Sequence, residues 1–232
     1  MIFITGDTHG DLSIKKLSGK KWPIGRTLTK NDYVIIAGDF GLLWCNDDEE
    51  NWWLNWFKER SFTLLFVDGN HENFDMVDKL PLVEMFGSNV GMVNDSVFHL
   101  RRGEVYEIEG KKIFTMGGGL SIDKSDRIPG KSWWEREQPN AEELDYAWKN
   151  IMKHERVDYV ITHVPPVNMM PGFNPYRTMN PKYYDPLSHH LRDMSQVLRF
   201  EKWYYGHMHV DEQVHEKYVS LYHKIIQLGE DL

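Results

Sequence analysis

The chain holds a single cysteine, Cys45, in 232 residues. An intramolecular disulfide is therefore impossible, and stability does not depend on an oxidising compartment. Long apolar runs are missing as well: none approaches the ~20 residues that a membrane-spanning helix needs. The opening Met1-Ile2-Phe3-Ile4-Thr5-Gly6-Asp7 lacks the basic segment and extended apolar stretch of a signal peptide, so a cytoplasmic protein is expected. Internal repeats, low-complexity tracts and Gly- or Ser-rich linkers are absent, which excludes collagen-like and disordered chains. Basic charge is in short supply: 27 Lys and Arg against 35 Asp and Glu give −8. That balance argues against broad nucleic-acid or membrane-surface binding driven by net charge.

What remains is an ordinary globular composition, 41% hydrophobic and 27% charged. At about 150 residues per domain the length corresponds to about 1.5 domains, read here as one domain over 1–232 with a sizeable core. Eleven His and nine Trp stand out.

Five short apolar runs, rich in β-branched and aromatic residues, read as strands buried on both faces. They are Ile2–Thr5, Tyr33–Ala37, Thr63–Val67, Tyr159–Thr162 and Lys202–Tyr205. Helices are expected over Asp47–Arg60, with acids first and bases last, over Ala141 to about His154 with an Asn140/Glu143 capping box, and over Leu187–Phe200. Val97–Met116 reads as two or three antiparallel strands turning at Glu109-Gly110, and Val214–Leu228 as further strands. Strands alternating with helices and then more strands imply a mixed sheet, or two sheets with helices outside.

Each of the five buried strands ends in residues able to hold a metal. They are Asp7 and His9, then Asp39, then Asn70 and His71, then His163, then His207 and His209. Sites in α/β sheets form beyond the carboxyl ends of strands, so side-by-side strands would bring these groups together. Asp7-Thr8-His9, Gly38-Asp39 or Gly206-His207-Met208-His209 alone reads as a turn, and Gly69-Asn70-His71-Glu72 alone is a moderate signal; all of them in register with buried strands indicate a metal site. Mixed nitrogen and oxygen ligands suit Mn, Fe, Zn or Co. Seven ligands exceed one tetrahedral ion and suit two ions sharing a carboxylate, which clamp a phosphoryl group.

With Gly6-Asp7-Thr8-His9, Gly38-Asp39, Gly69-Asn70-His71-Glu72, Thr162-His163 and Gly206-His207-Met208-His209 in this order, the chain resembles the calcineurin-like metallophosphoesterases, in particular bacterial members without an assigned substrate. The resemblance implies an α/β (α+β) fold, a four-layer αββα sandwich of two mixed β-sheets flanked by helices. It also implies roles. Asp7, His9 and His209 would hold one metal, Asn70, His163 and His207 the other, and Asp39 would bridge. His71 would face the phosphate as general acid or electrostatic partner. The cofactor expected is two divalent ions, Mn first, with Fe, Zn, Co or Ni as alternatives.

The chain departs from the protein phosphatases of that family at Gly38-Asp39-Phe40-Gly41-Leu42-Leu43. Leu42 stands for the acid that pairs with the catalytic His, and Leu43 for the phosphate-binding Arg. A protein phosphatase is thereby disfavoured, and the partner of His71 must come from elsewhere. The run Gly117-Gly118-Gly119 through Arg127 is either an anion-approaching loop or a plain flexible one. Lys124 and Arg127 are substitutes for the lost Arg or surface charges. Trp133 and Trp134 either stack on a base or seat a short helix. Trp44, Trp52, Trp53 and Trp56 read as packing, with Trp52 and Trp56 as a core stripe. His99, His154, His189, His190, His215 and His223 read as surface or packing residues. The segment from Val164 to Pro181, rich in proline and with Met169, Met170, Phe173 and Tyr176, reads as a site wall.

The expected function is phosphoester hydrolysis by a metal-bridging hydroxide, with the metals and His71 stabilising developing charge. The lost Arg and the Trp pair favour a phosphodiester or nucleotide-like small molecule. A phosphomonoesterase at the same site is the alternative, with a non-catalytic interaction module less favoured because every ligand position is intact. An oxidase-like metal site is disfavoured by the bridging Asp39 and the phosphate-facing His71. No membrane partner is expected, and nucleic acid is not favoured.

Overall fold

Successive side chains of a strand point to opposite faces, and here both faces are covered. In the second buried run, Ile35 and Ala37 enter one core, while Val34 and Ile36 enter another. In the fourth, Ile161 joins the first of these cores and Val160 a third. This pattern gives four layers. A computed structural model describes residues 1–170 and 185–232.

Along the described chain the elements are β1 (Ile2–Thr5), β2 (Tyr33–Ala37), α1 (Asp48–Lys58), β3 (Thr63–Val67), α2 (Phe74–Val77), β4 (Leu82–Met85), β5 (Ser88–Asn94), β6 (Val97–Leu100), β7 (Val105–Ile108) and β8 (Lys111–Met116). There follow α3 (Ala141–His154), β9 (Tyr159–Thr162), α4 (Pro186–Val197), β10 (Lys202–Tyr205), β11 (Glu212–Val214), β12 (Tyr218–Ser220) and β13 (Ile226–Gln227). One sheet runs β13-β1-β2-β3-β6-β5-β4 and the other β11-β12-β10-β9-β8-β7. Both are mixed: β1, β2, β3 and β6 are parallel, as are β8, β9, β10 and β12, with antiparallel strands at the edges.

The sheets share a core that includes Ile4, Leu65, Tyr106, Ile113 and Tyr204. On the outer face of the first sheet, Trp53 and Phe57 of α1 pack with Ile14, Leu17 and Trp22. On the outer face of the second, Ala147 and Ile151 of α3 and Leu187, Leu191 and Met194 of α4 pack on Val160 and Trp203. The five ligand-bearing strands are therefore not neighbours in one sheet. Three lie in the first sheet and two in the second, and their carboxyl ends meet across the sandwich.

The expected helices form, α3 with the Asn140/Glu143 capping box in place. One packing expectation is corrected. Trp52 is 57% exposed, and the core stripe of α1 is Trp53 and Phe57, one residue further on. The proline-rich segment is described as far as Met170; the rest of the expected wall, with Phe173 and Tyr176, lies outside the described residues. None of the described helices is long and apolar enough to cross a membrane.

Candidate metal centre

All seven expected ligands and His71 come together where the strand ends converge. Asp7 is fully buried. Its Oδ1 accepts the His207 backbone N–H at 2.9 Å. Its Oδ2 lies 3.0 Å from His209 Nε2 and 3.7 Å from His9 Nε2, yet takes part in no well-formed hydrogen bond. The ring nitrogens His9 Nε2 and His209 Nε2 face each other at 3.0 Å. Asp39 stands between two groups: Oδ2 is 3.7 Å from His9 Nδ1, and Oδ1 is 3.4 Å from His163 Nε2. On the far side, His163 Nε2 lies 3.0 Å from Asn70 Oδ1 and 3.2 Å from His207 Nδ1.

The supporting contacts fix which atoms face inward. His163 Nδ1 is 3.1 Å from the Ala37 carbonyl, which can only accept, so the proton sits on Nδ1 and the lone pair on Nε2. The Asn70 amide donates Nδ2–H to Ser121 Oγ at 3.2 Å, which turns Oδ1 inward. With His163 neutral, a lone pair, an amide oxygen and a carboxylate oxygen thus converge. Such a set costs free energy unless a cation is shared, and its mixture of nitrogen and oxygen suits a transition-metal ion.

The carboxylates and imidazoles also shift one another's protonation. Burial alone would raise Asp7, but the His209 contact and the neighbouring His163 and His9 hold it below the usual carboxylate range. Burial pushes His207 down to about 4. For His163, burial is outweighed by Asp39 and Asp7, which raise it.

The backbone is bent to present these ligands. His9, Asp39, His207 and His209 have φ of 46°, 50°, 62° and 52°, a left-handed conformation uncommon outside glycine and concentrated at functional sites. Gly38 has φ of 87°, and a Cβ there would fall inside the His163 ring. Gly119 lets the loop after β8 run past the site, since its Cβ would press on Asn70 Oδ1 and the Val164 side chain at 3.2 and 3.0 Å. The Gly-rich run is therefore a close-packed approach to the centre.

Several supports carry no obvious sequence signal. Lys16 is buried and donates to the carbonyls of Gly6, Asp7 and Tyr222; burial lowers its pKa to about 8. The Tyr222 ring stacks on His209 at 4.5 Å, and Asp211 accepts the backbone N–H groups of Tyr222, His223 and Lys224. Glu72, quoted with the third motif, is buried and accepts from the Phe40 and Gly41 N–H groups at 2.8 and 3.4 Å, tying two ligand loops together.

His71 donates its backbone N–H to Asp39 Oδ1 at 2.8 Å, and its ring stands edge-on to His9 at 5.2 Å. Burial and the Arg127 charge, opposed by Asp39, lower its pKa. Arg127 is its neighbour, with Nη1 3.1 Å from Nδ1 and Nη2 3.3 Å from Nε2. Lys124 instead lies over the Trp133 ring at 5.7 Å. Leu42 and Leu43 are buried in the outer core. Trp134 is 7% exposed and donates its indole N–H to Asp75, so it is a packing residue and not a stacking platform. His99 is buried and meets Asp68 Oδ1 at 2.9 Å.

A family model described as calcineurin-like phosphoesterase matches residues 1–211. Among solved structures, a Staphylococcus aureus protein described as a "Putative 5'-Nucleotidase" in complex with alpha-ketoglutarate is similar in fold, with a TM-score of 0.50 at 15% identity. The match covers 97% of this chain and 49% of that one, so this chain spans about half the length of the structure it resembles. No curated protein sequence matches the chain.

Proposed function

The chain belongs to the calcineurin-like phosphoesterase family of metal-dependent phosphoester hydrolases, and on that premise we propose that it hydrolyses a small phosphoester at a centre of two divalent ions. The observation that carries the proposal is the convergence of His163 Nε2 and Asn70 Oδ1 at 3.0 Å, two acceptors when His163 is neutral. Asp7, His9 and His209 would hold one ion, and Asn70, His163 and His207 the other. Asp39 would bridge, since one of its oxygens faces each group. Manganese is the first expectation for this ligand set. Two such ions, when bound, neutralise phosphoryl charge and acidify water for attack on phosphorus.

The chain's own residues would do the rest. Asp39 and the buried Asp7 fix the spacing of the two ligand groups. His71, surplus to the ligand set, would face the phosphoryl group and manage the proton of the leaving oxygen. Trp134 is buried, so a stacking argument for a diester or nucleotide base falls to the half-buried Trp133 alone.

Turnover of aryl phosphate mono- and diesters, with and without chelation, tests the reading. Activity that disappears with EDTA and returns with Mn is expected. Hydrolysis that persists in fully chelated protein would overturn it.

A further inference from the structure

Arg127 is held along one edge and open along the other. Asp123 takes the first edge, with Oδ1 2.9 Å from Nε and Oδ2 2.9 Å from Nη2. Nη1 also donates to the Ser132 carbonyl at 3.2 Å. The remaining edge, Nη1 with Nη2, points at both ring nitrogens of His71. A neutral imidazole offers one acceptor nitrogen and an imidazolium none. In either form at least one guanidinium N–H aimed at His71 has no acceptor there. The side chain is only 15% exposed, so a donor left this way costs free energy until an acceptor arrives.

The position of that donor is informative. One imidazole separates it from Asp39, whose carboxylate holds the His71 backbone, and from His9, whose ring lies 5.2 Å from that of His71. A guanidinium edge matches two oxygens of a phosphate. The loop that delivers it is fastened at both ends of its path: Ser121 meets Asn70, Ser121 N–H donates to Glu137 Oε2 at 3.1 Å, and Ser132 Oγ accepts from the Ile128 N–H at 2.9 Å.

We propose that Arg127 is the phosphate clamp of this site and that it selects phosphate monoesters over diesters. The proposal rests on the metallophosphoesterase reading above. A monoester carries three non-bridging oxygens and close to two charges near neutral pH; a diester carries two such oxygens and one charge. Two metal ions and one guanidinium offer partners for all three oxygens of the monoester. A diester would set an ester substituent against Arg127, leaving the guanidinium edge that faces His71 without an acceptor. The clamp that Leu43 removes from the second motif thus returns from the loop after β8.

The test is steady-state kinetics of the Mn-loaded protein on p-nitrophenyl phosphate and bis-p-nitrophenyl phosphate, with calorimetric titration of inorganic phosphate and dimethyl phosphate. Wild type should prefer the monoester and bind inorganic phosphate more tightly than dimethyl phosphate. Arg127→Met should lower the monoester-to-diester ratio of kcat/KM, and the affinity for inorganic phosphate, by about 10- to 100-fold, the value of a charge-assisted bidentate contact. Its metal content should be unchanged. Arg127→Lys, which keeps the charge without the fork, should fall between. A wild-type diester preference, an equal loss on both esters, or an unchanged phosphate affinity would overturn the clamp. Wild type that hydrolyses neither ester with any divalent metal would instead overturn the metallophosphoesterase reading on which it rests.

Discussion

Asn70 Oδ1 and His163 Nε2 face one another across 3.0 Å as two acceptors. Ala37 holds the only proton of a neutral His163 on the opposite nitrogen, and Ser121 holds the Asn70 amide in place. The protein thus builds a gap suited to a cation, and a second such grouping lies where His9 and His209 meet beside Asp7 Oδ2, 3.0 Å from His209 Nε2.

His71 follows Asn70 in the chain, and the proposed ligand set leaves it out. His71→Ala should keep its metal content while turnover falls by about 10²–10⁴-fold, the usual contribution of a general acid–base group. Metal analysis beside kcat checks this. Loss of metal in the variant would make His71 a ligand.

Metal should also stabilise the fold, because the gathered acceptors exist only in the folded chain. At a free Mn concentration of about 100 times Kd, binding should add about 2.7 kcal/mol. For a chain of this size that corresponds to a rise in Tm of about 5–10 °C. Thermal melts in EDTA and in Mn would show it, and identical melts would contradict it.

Beside the centre, Asp68 is buried against Arg102, with Nε 2.8 Å from Oδ2, and against His99. Asp68→Asn leaves Arg102, itself 3% exposed, with Glu143 at 3.3 Å as its remaining counter-charge. The expected cost is about 3–5 kcal/mol at neutral pH. Burial opposes ionisation of Asp68, but Arg102 and His99 outweigh it and hold its pKa below the usual value of 3.8. The folded pKa is depressed, so the ionic contribution is present above pH 3.8 and lost as pH falls through the lower folded value. Denaturant unfolding of metal-free wild type and Asp68→Asn should therefore differ at pH 7 and converge in strong acid. A difference that stayed constant with pH would show that the charge is not what matters.

The sequence made the ligands visible because each follows a buried apolar run that ends in Gly or a polar cluster. The same runs revealed α1, α3 and the β7–β8 turn at Glu109-Gly110, where local capping and turn chemistry decide the structure. The division of strands between sheets was less legible. β1 and β9 have the same apolar pattern, and only long-range packing sends one to each sheet. The β4–β5 hairpin is not legible in the sequence because its strands are only partly buried. Arg127 was ambiguous with Lys124, three residues earlier, since nothing in the spacing says which one the Gly-rich loop turns inward. Lys16 and Tyr222 were hidden because their roles arise from carbonyls and rings far away in the chain.

The central claim is that the converging acceptors hold two ions. The direct measurement is the number of Mn ions bound per chain in wild-type protein at saturation, read by elemental analysis after removal of free metal. Two ions per chain are expected, falling to one in Asn70→Ala, which keeps the Asp7, His9 and His209 group. A single ion per chain in saturated wild type would contradict the account.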